Sequence, residues 1–212
     1  KILQDHLTST ANQFFLILDI RLDKIEFSKF QDILVECYDI TFTICYQLDK
    51  PLLNYLILIP QLCGDSIYSI LSSVQLYHTT SADSAVAKKL SSLNPSLSIH
   101  CIELPFQHET DSMPSPTSPG PPQFNYVAVA GTYDHLHAGH KAILSVAATV
   151  ATKTLFVGLL TSTGSKELSE LIEDIEARKK AIENFLRIFK PSLTIEITVV
   201  NRCPRPESCS LI

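Results

Sequence analysis

A short apolar run that leads through a glycine into a helical pattern constrains the fold of this chain most. Residues 126–130, Tyr-Val-Ala-Val-Ala, read as a buried β-strand that is bounded upstream by Pro121 and Pro122 and broken by Gly131. From Ala138 onward, apolar residues recur at the spacing of one helix face. They are Ala142, Ile143, Val146, Ala147 and Val150. The stretch predicts a strand, a loop and a helix in succession.

The loop and the helix start carry groups that suit a phosphate. A helix N-terminus presents unpaired N–H groups and a partial positive charge. Gly131 and Gly139 lack a Cβ, so a ligand can approach the backbone there. His137 and His140 are three residues apart at the helix start, so both side chains can point at one spot. These features predict a polyphosphate site.

A metal site and a purely structural role are the alternative interpretations. His135, His137 and His140 could bind zinc, but a second group of ligands at the usual spacing is missing from the sequence. A single histidine near a helix start is usually a surface or capping residue. Three histidines between residues 135 and 140, with a glycine on either side and a strand before them, favour phosphate binding.

A family resemblance rests on the same residues. The sequence Gly-Thr-Tyr-Asp-His-Leu-His-Ala-Gly-His-Lys at 131–141 resembles the signature of the HxGH nucleotidyltransferases. Its Asp-His-Leu-His-x-Gly-His-Lys form is similar to that of the eukaryotic phosphopantetheine adenylyltransferases, as in CoA synthase-like proteins. The resemblance covers residues 124–200, about a third of the chain. It implies adenylyl transfer from ATP to 4′-phosphopantetheine, giving dephospho-CoA and pyrophosphate in coenzyme A biosynthesis, with Mg²⁺ accompanying ATP.

The resemblance also implies roles for individual residues. His140 would donate to the α-phosphate, His137 would support the triphosphate, and Thr132 would hold the phosphates in register. The implied ATP-binding residues are Gly131, Thr132, Tyr133, His137, Gly139 and His140. Lys166, together with Thr132, would bind the phosphate of phosphopantetheine. The alternative for Lys166 is a solvated lysine at a helix start.

The rest of the C-terminal half predicts a Rossmann-like parallel sheet. Residues 154–160 and 193–200 read as strands, and residues 167–189 read as one long helix. The loops after Ala130 and Leu160 then meet at the carboxyl edge of the sheet, where such folds bind ligands. Lys153 precedes the second strand and is expected at the opposite end.

One residue of the long helix has two interpretations. Arg178 lies in a Glu-Ala-Arg sequence that resembles the family's acid-x-Arg on this helix. The alternative is structural, because Asp174 lies one turn before Arg178, at the spacing of a surface ion pair.

The predicted organisation is a small N-terminal α/β domain of unknown role at 1–108, a linker at 109–123 and a partial nucleotidyltransferase domain at 124–212. Five prolines among Ser, Thr and Gly define the linker. Apolar patterns in the first domain predict both kinds of element. The predicted strands are 13–21, 40–47, 53–59 and 98–104, the predicted helices are 27–37 and 84–93, and 67–76 is ambiguous.

Composition narrows the partners and the location. A net charge of -5 argues against a nucleic-acid surface, which needs a basic face. The longest apolar run, 52–63, is interrupted by polar residues and is too short to span a bilayer. The six cysteines form no Cys-x-x-Cys pair and read mostly as buried free thiols. We expect a soluble cytoplasmic protein whose partners, by resemblance, include other CoA-pathway enzymes such as dephospho-CoA kinase.

Two features depart from the family pattern. The chain begins with Lys1 rather than methionine, which suggests a fragment, and residues 201–212 show no match to the family. The second wall of the ATP site is therefore expected to be missing, in a C-terminally truncated or non-catalytic form. The alternative functions are a cytidylyltransferase of phospholipid synthesis and a non-catalytic scaffold that docks CoA-pathway proteins.

Overall fold

The N-terminal half combines helices with two short parallel strand pairs. The computed structural model describes residues 2–10, 13–51, 53–72, 76–79, 85–95, 98–101, 120–161 and 172–201. Strands β1 and β2 pair with each other, as do β3 and β4. In chain order the elements are α1 (Ile2–Ser9), β1 (Gln13–Ile17), α2 (Phe27–Gln47), β2 (Asn54–Leu58), α3 (Pro60–Cys63), α4 (Ser66–Leu71), β3 (Leu76–Thr79), α5 (Ala85–Leu93) and β4 (Ser98–Cys101).

The C-terminal half is a parallel β-α-β-α-β unit. Its elements are β5 (Phe124–Gly131), α6 (Ala138–Val150), β6 (Ala151–Leu160), α7 (Ile175–Phe189) and β7 (Thr194–Val200). The strands are ordered β5-β6-β7, with Val129 opposite Val157 and Val157 opposite Ile197. The predicted α/β class with a Rossmann-like parallel sheet is confirmed.

The two faces of this sheet differ in burial. Leu155, Val157 and Leu159 of β6 are fully buried on the face that α6 and α7 cover. On the other face Tyr126 and Phe156 are exposed, with ring centroids 6.3 Å apart. The expected strand at 126–130 is therefore present but is not fully buried, because the helices cover one face of the sheet, where Val127 and Val129 are half-buried, and leave the other face exposed.

The predicted strand at 40–47 is wrong, because these residues form the second part of the 21-residue helix α2. The apolar side chains that alternate there, such as Ile40, Phe42 and Tyr46, are exposed. The buried residues follow a helical spacing instead. They are Phe30, Leu34, Tyr38, Thr41 and Cys45.

The other element predictions differ from the structure mainly at their ends. The helix predicted at 167–189 begins only at Ile175, because Asp174 accepts a hydrogen bond from the Glu176 backbone N–H at 2.8 Å and caps it. Ile143, expected on the apolar face of α6, is exposed. The ambiguous segment 67–76 contains most of α4 and the first residue of β3. Lys153 lies near the start of β6, away from its carboxyl end.

The two halves share one hydrophobic core. Helix α2 packs along α6, and α3 and α4 contact α7. A single cluster of buried side chains includes Phe30 and Ile57 from the N-terminal half and Leu144 and Leu186 from the C-terminal half. Helix α6 is thus enclosed between its own sheet and the N-terminal half. The domain boundaries at 108 and 123 stay predictions, because most of the linker lies outside the described residues.

The described cysteines are free thiols, and the described helices do not resemble membrane spans. Cys45 and Cys63 are buried free thiols, and Cys37 is a half-buried one. Burial raises the pKa of the Cys63 thiol to about 11. Among the helices of the described ranges, none combines the length and apolar character needed to cross a bilayer.

Candidate nucleotide-binding site

The loop after β5 and the end of β6 lie together at the carboxyl edge of the sheet, while residues 162–171, which include most of the predicted loop after β6, lie outside the described residues. The evidence is Arg178 of α7, whose side chain is almost completely buried. Its guanidinium donates to the carbonyl oxygens of Thr132 at 2.7 Å and Leu160 at 2.9 Å, and to that of Glu173 at 2.9 Å. One side chain therefore joins the loop after β5 and the end of β6 to the start of α7.

Arg178 is consequently structural, but the predicted surface ion pair with Asp174 is wrong. The Asp174 carboxylate instead caps the helix that carries Arg178. A buried guanidinium has five N–H donors in a fixed arrangement, which suits several carbonyl acceptors at once. Sequence spacing indicated a nearby acid and could not indicate carbonyl partners contributed by distant loops.

The loop between β5 and α6 has a backbone conformation that needs outside support. Tyr133 and His135 have φ values of 50° and 45°, in the left-handed region that non-glycine residues rarely adopt. The Glu173 carboxylate accepts from the His135 backbone N–H at 2.7 Å, and the Glu173 backbone N–H donates to Asp134 at 2.8 Å. This second bond is the main reason that the pKa of Asp134 lies below its usual value.

The ring of Tyr133 packs closely against Gly131. A Cβ added to Gly131 would lie 3.2 Å from two atoms of that ring, closer than side chains normally pack. The ring itself is buried beside His140, with ring centroids 5.2 Å apart. The Tyr133 side chain thus packs against Gly131 at the end of β5.

The two histidines of the helix start are brought together as predicted. Their rings stack, with centroids 3.8 Å apart and an angle of 29° between planes. His137 is the N-cap of α6, and its Nδ1 accepts from the Gly139 backbone N–H at 3.2 Å. In the neutral imidazole the proton then lies on Nε2, which leaves an N–H donor for a ligand.

Burial keeps both imidazoles neutral near pH 7. It lowers the pKa of His137, and it lowers the pKa of His140 to about 4 with a further contribution from neighbouring His137. Two polar atoms of the site are shielded and have no hydrogen-bond partner in the described structure, Nδ1 of His140 and the hydroxyl of Tyr133. Buried polar groups without partners are uncommon, and these two belong to adjacent rings of the motif.

Lys141, the last residue of the motif, does not face this site. Its side chain is buried, and its ammonium donates to the Tyr55 carbonyl at 2.9 Å and the Asn54 side-chain oxygen at 3.3 Å. Both acceptors belong to β2 of the N-terminal half. This contact was not predicted, because no local pattern links residues 86 or 87 positions apart.

The structure does not favour the zinc alternative. Within the described residues, the three histidines do not converge as ligands, and the one trio with ligand atoms within 4.8 Å of one another is Asp134, His135 and Glu173. Oxygens of Asp134 and Glu173 already accept N–H groups of the loop. We assign no metal to these residues.

The remaining predicted site residues are placed as follows. Thr132 and Gly139 lie in the loop and in the first turn of α6, next to the histidine pair. Lys166 lies outside the described residues. Glu173, which braces the loop, was missed by sequence analysis, and its place immediately before a cap residue gave no signal of that role.

Comparison with known proteins agrees with this geometry. A family model described as cytidylyltransferase-like matches residues 128–203. The phosphopantetheine adenylyltransferase of Saccharomyces cerevisiae is 34% identical over 77 residues, 35% of this chain and 25% of that protein. An uncharacterized protein of Schizosaccharomyces pombe is 33% identical over 121 residues, 54% of this chain and 36% of that protein. No solved structure matches the chain significantly.

The family match overlaps the site, and the relatives are matched over only part of their length. The chain spans well under two thirds of the length of either yeast protein. The family match begins within β5 and extends past the end of β7, so it contains the histidine pair and the braced loop. Residues 128–203 are therefore similar to cytidylyltransferase-like domains, and the chain is similar over 77 residues to a phosphopantetheine adenylyltransferase, which supports a nucleotidyltransferase.

Proposed function

We propose that this chain carries the adenylyl-transfer site of a phosphopantetheine adenylyltransferase, which joins ATP and 4′-phosphopantetheine into dephospho-CoA and pyrophosphate. The observation that carries the proposal is the stacked pair of His137 and His140 at the start of α6, with an unpartnered ring nitrogen on His140. The likeness to the yeast adenylyltransferase supports ATP as the nucleotide and 4′-phosphopantetheine as the acceptor.

The reaction is an in-line displacement at the α-phosphorus of ATP. A phosphate oxygen of phosphopantetheine forms the new bond to the α-phosphorus, and the bond to the bridging oxygen of pyrophosphate breaks. The nucleophile is already an anion, so no general base and no covalent intermediate are needed. The protein contributes positioning and donors to the charge that develops on phosphorus.

Individual residues then have defined tasks. His140 donates to the α-phosphate oxygens, and the Nε2–H of His137 donates to the triphosphate. Thr132, whose carbonyl is held by Arg178, presents its hydroxyl and N–H to the phosphates. Gly131, Tyr133 and Gly139 shape the backbone around them. Lys166 holds the incoming phosphate.

Mg²⁺ enters as part of the ATP substrate and offsets charge on the leaving pyrophosphate. Asp134 and Glu173 each use an oxygen to hold the loop, and we assign them no role in binding the ion. Free ATP without Mg²⁺ is expected to be a poorer substrate, because the charge on pyrophosphate is then not offset.

The test is pyrophosphate release from Mg·ATP and 4′-phosphopantetheine by the parent chain and two matched variants. His140→Asn removes the imidazole donor and is expected to lower kcat about 10²- to 10³-fold. His135→Asn is the control, because His135 is an exposed histidine of the same loop and asparagine tolerates its left-handed backbone. An unchanged kcat in His140→Asn would refute the assignment of the site.

Two further arms separate the alternatives. CTP with phosphocholine or phosphoethanolamine tests the cytidylyltransferase of phospholipid synthesis. Turnover with CTP and one of these acceptors, and none with ATP and 4′-phosphopantetheine, would show that the chain is a cytidylyltransferase. The histidine pair would then still be the nucleotide site. A folded chain that is silent with every pair but captures dephospho-CoA kinase would favour the non-catalytic scaffold.

A further inference from the structure

The residue that follows His140 connects the candidate site to the N-terminal half. Lys141 sits in the first turn of α6, and its ammonium ends on β2, 2.9 Å from the Tyr55 carbonyl and 3.3 Å from the Asn54 side-chain oxygen. The ammonium also lies 5.0 Å from the centre of the Tyr55 ring. Lys141 therefore bonds across the interface and not to the loop of its own half.

A second contact continues the same line along α6. Ser145 lies four residues after Lys141, so both side chains share one face of the helix. The Ser145 hydroxyl is 3.3 Å from the hydroxyl of Tyr38 on α2, and both residues are buried. The N-terminal half thus contacts the first two turns of α6 by polar groups as well as by apolar packing.

Stability alone is a poor explanation for a lysine at this place. Burial disfavours a charged ammonium, and it lowers the pKa of Lys141 to about 8. A cation in the first turn of a helix is also opposed by the positive end of the helix dipole. An apolar side chain would fill this interface with neither cost. What the ammonium adds is a directed attachment one residue from His140.

We propose that Lys141 is a positioning residue, which anchors the first turn of α6 on β2 and so sets where His137 and His140 meet the phosphates. The inference rests on the proposed nucleotidyl-transfer function of the site. It assigns a role to the N-terminal half, which becomes the fixed support of the site. Elements α2 and β2 of the N-terminal half contact α6 on the side opposite the β5-β6-β7 sheet.

Lys141→Met tests the proposal, with Lys190→Met as the matched control. Lys190 also donates to main-chain carbonyls of the α6 region, but at the far end of the helix, at 2.9 Å to Ala148 and 2.6 Å to Ala151. Burial lowers the pKa of Lys190 as well. Both variants remove an ammonium that holds α6, and only one removes it beside the histidines.

The first readout is the ¹H–¹³C spectrum of the histidine rings at pH 7.5, where both imidazoles are neutral. Stacked rings at 3.8 Å shift each other's resonances, so displacement of the first turn moves the signals of His137 and His140. We expect both signals to move in Lys141→Met and to stay in Lys190→Met, while both variants melt at lower temperature. Unmoved signals in a folded Lys141→Met would overturn the proposal.

The second readout is turnover. Displaced donors act mainly on the transition state, so kcat should fall roughly 10- to 100-fold in Lys141→Met, with a smaller change in KM for ATP. If Lys141→Met does not fold, Asn54→Ala removes the weaker acceptor at an exposed position and should move the same two signals by less. If the parent chain releases no pyrophosphate, the proposed adenylyl-transfer function is refuted. The histidine ring signals then test the positioning role of Lys141 by themselves.

Discussion

At the scale of single residues, the site depends on imidazoles that stay uncharged until a ligand arrives. His140 is packed between the rings of His137 and Tyr133, with centroid separations of 3.8 Å and 5.2 Å. In that position an imidazolium would be poorly solvated and close to a second imidazole. Phosphate oxygens would reverse this balance, because an opposite charge favours the protonated form.

The pKa of His140 predicts an acid-dependent loss of stability. It lies at about 4 in the folded chain against 6.5 for a free imidazole, because of burial and His137. Between these values the unfolded chain binds a proton that the folded chain does not, so the free energy of unfolding falls as the pH is lowered through this window. Urea unfolding from pH 7 to 4.5 should show a shallower loss for His140→Asn than for the parent. Parallel pH profiles would contradict the buried, neutral state of His140.

At the scale of elements, α7 is attached to the strand ends through one side chain. Arg178 satisfies three carbonyl groups from the loop after β5, the end of β6 and the segment before α7. Each of these groups belongs to a different part of the chain. The braced geometry of the loop, with its two left-handed residues, depends on this attachment.

Replacement of Arg178 is expected to be far more costly than replacement of another arginine on the same helix. Arg178→Met leaves three partly buried carbonyls without this donor, at about 1–3 kcal/mol for each unsatisfied group, so we expect a loss of at least about 2 kcal/mol. Arg187→Met changes an exposed side chain in the last turn of α7 and should cost less than about 1 kcal/mol. Urea denaturation of both variants measures the difference. Equal losses would show that the three hydrogen bonds contribute little.

At the scale of the whole molecule, the two halves are expected to unfold together. One apolar cluster contains side chains of both halves, and Lys141 and Tyr38 bond across the interface. A protease site placed within residues 109–119 should therefore yield two fragments that elute as one species and melt in a single transition. Fragments that separate, or a thermogram with two transitions, would show that the shared core is too weak to join the halves.

Local sequence determined much of the C-terminal half. The strand, loop and helix around Gly131 and His140, and the second and third strands, follow from short apolar periods, and the common edge at which these strands end follows from parallel topology. The pairing of His137 and His140 likewise followed from their spacing on a helix start. These features depend on neighbours within a few residues of one another, which a sequence displays directly.

Only the tertiary structure decided which apolar residues of α2 are buried and where the charged side chains end. Residues 40–47 alternate like a strand, yet Leu34, Tyr38, Thr41 and Cys45 face the core, because α2 packs along α6 and buries a helical stripe. Lys141 had no predicted role, and Arg178 was open between a motif residue and a surface ion pair, yet both are buried donors to main-chain oxygens far along the chain. Burial and long-range carbonyl partners arise when distant segments pack, and no period in the sequence encodes them.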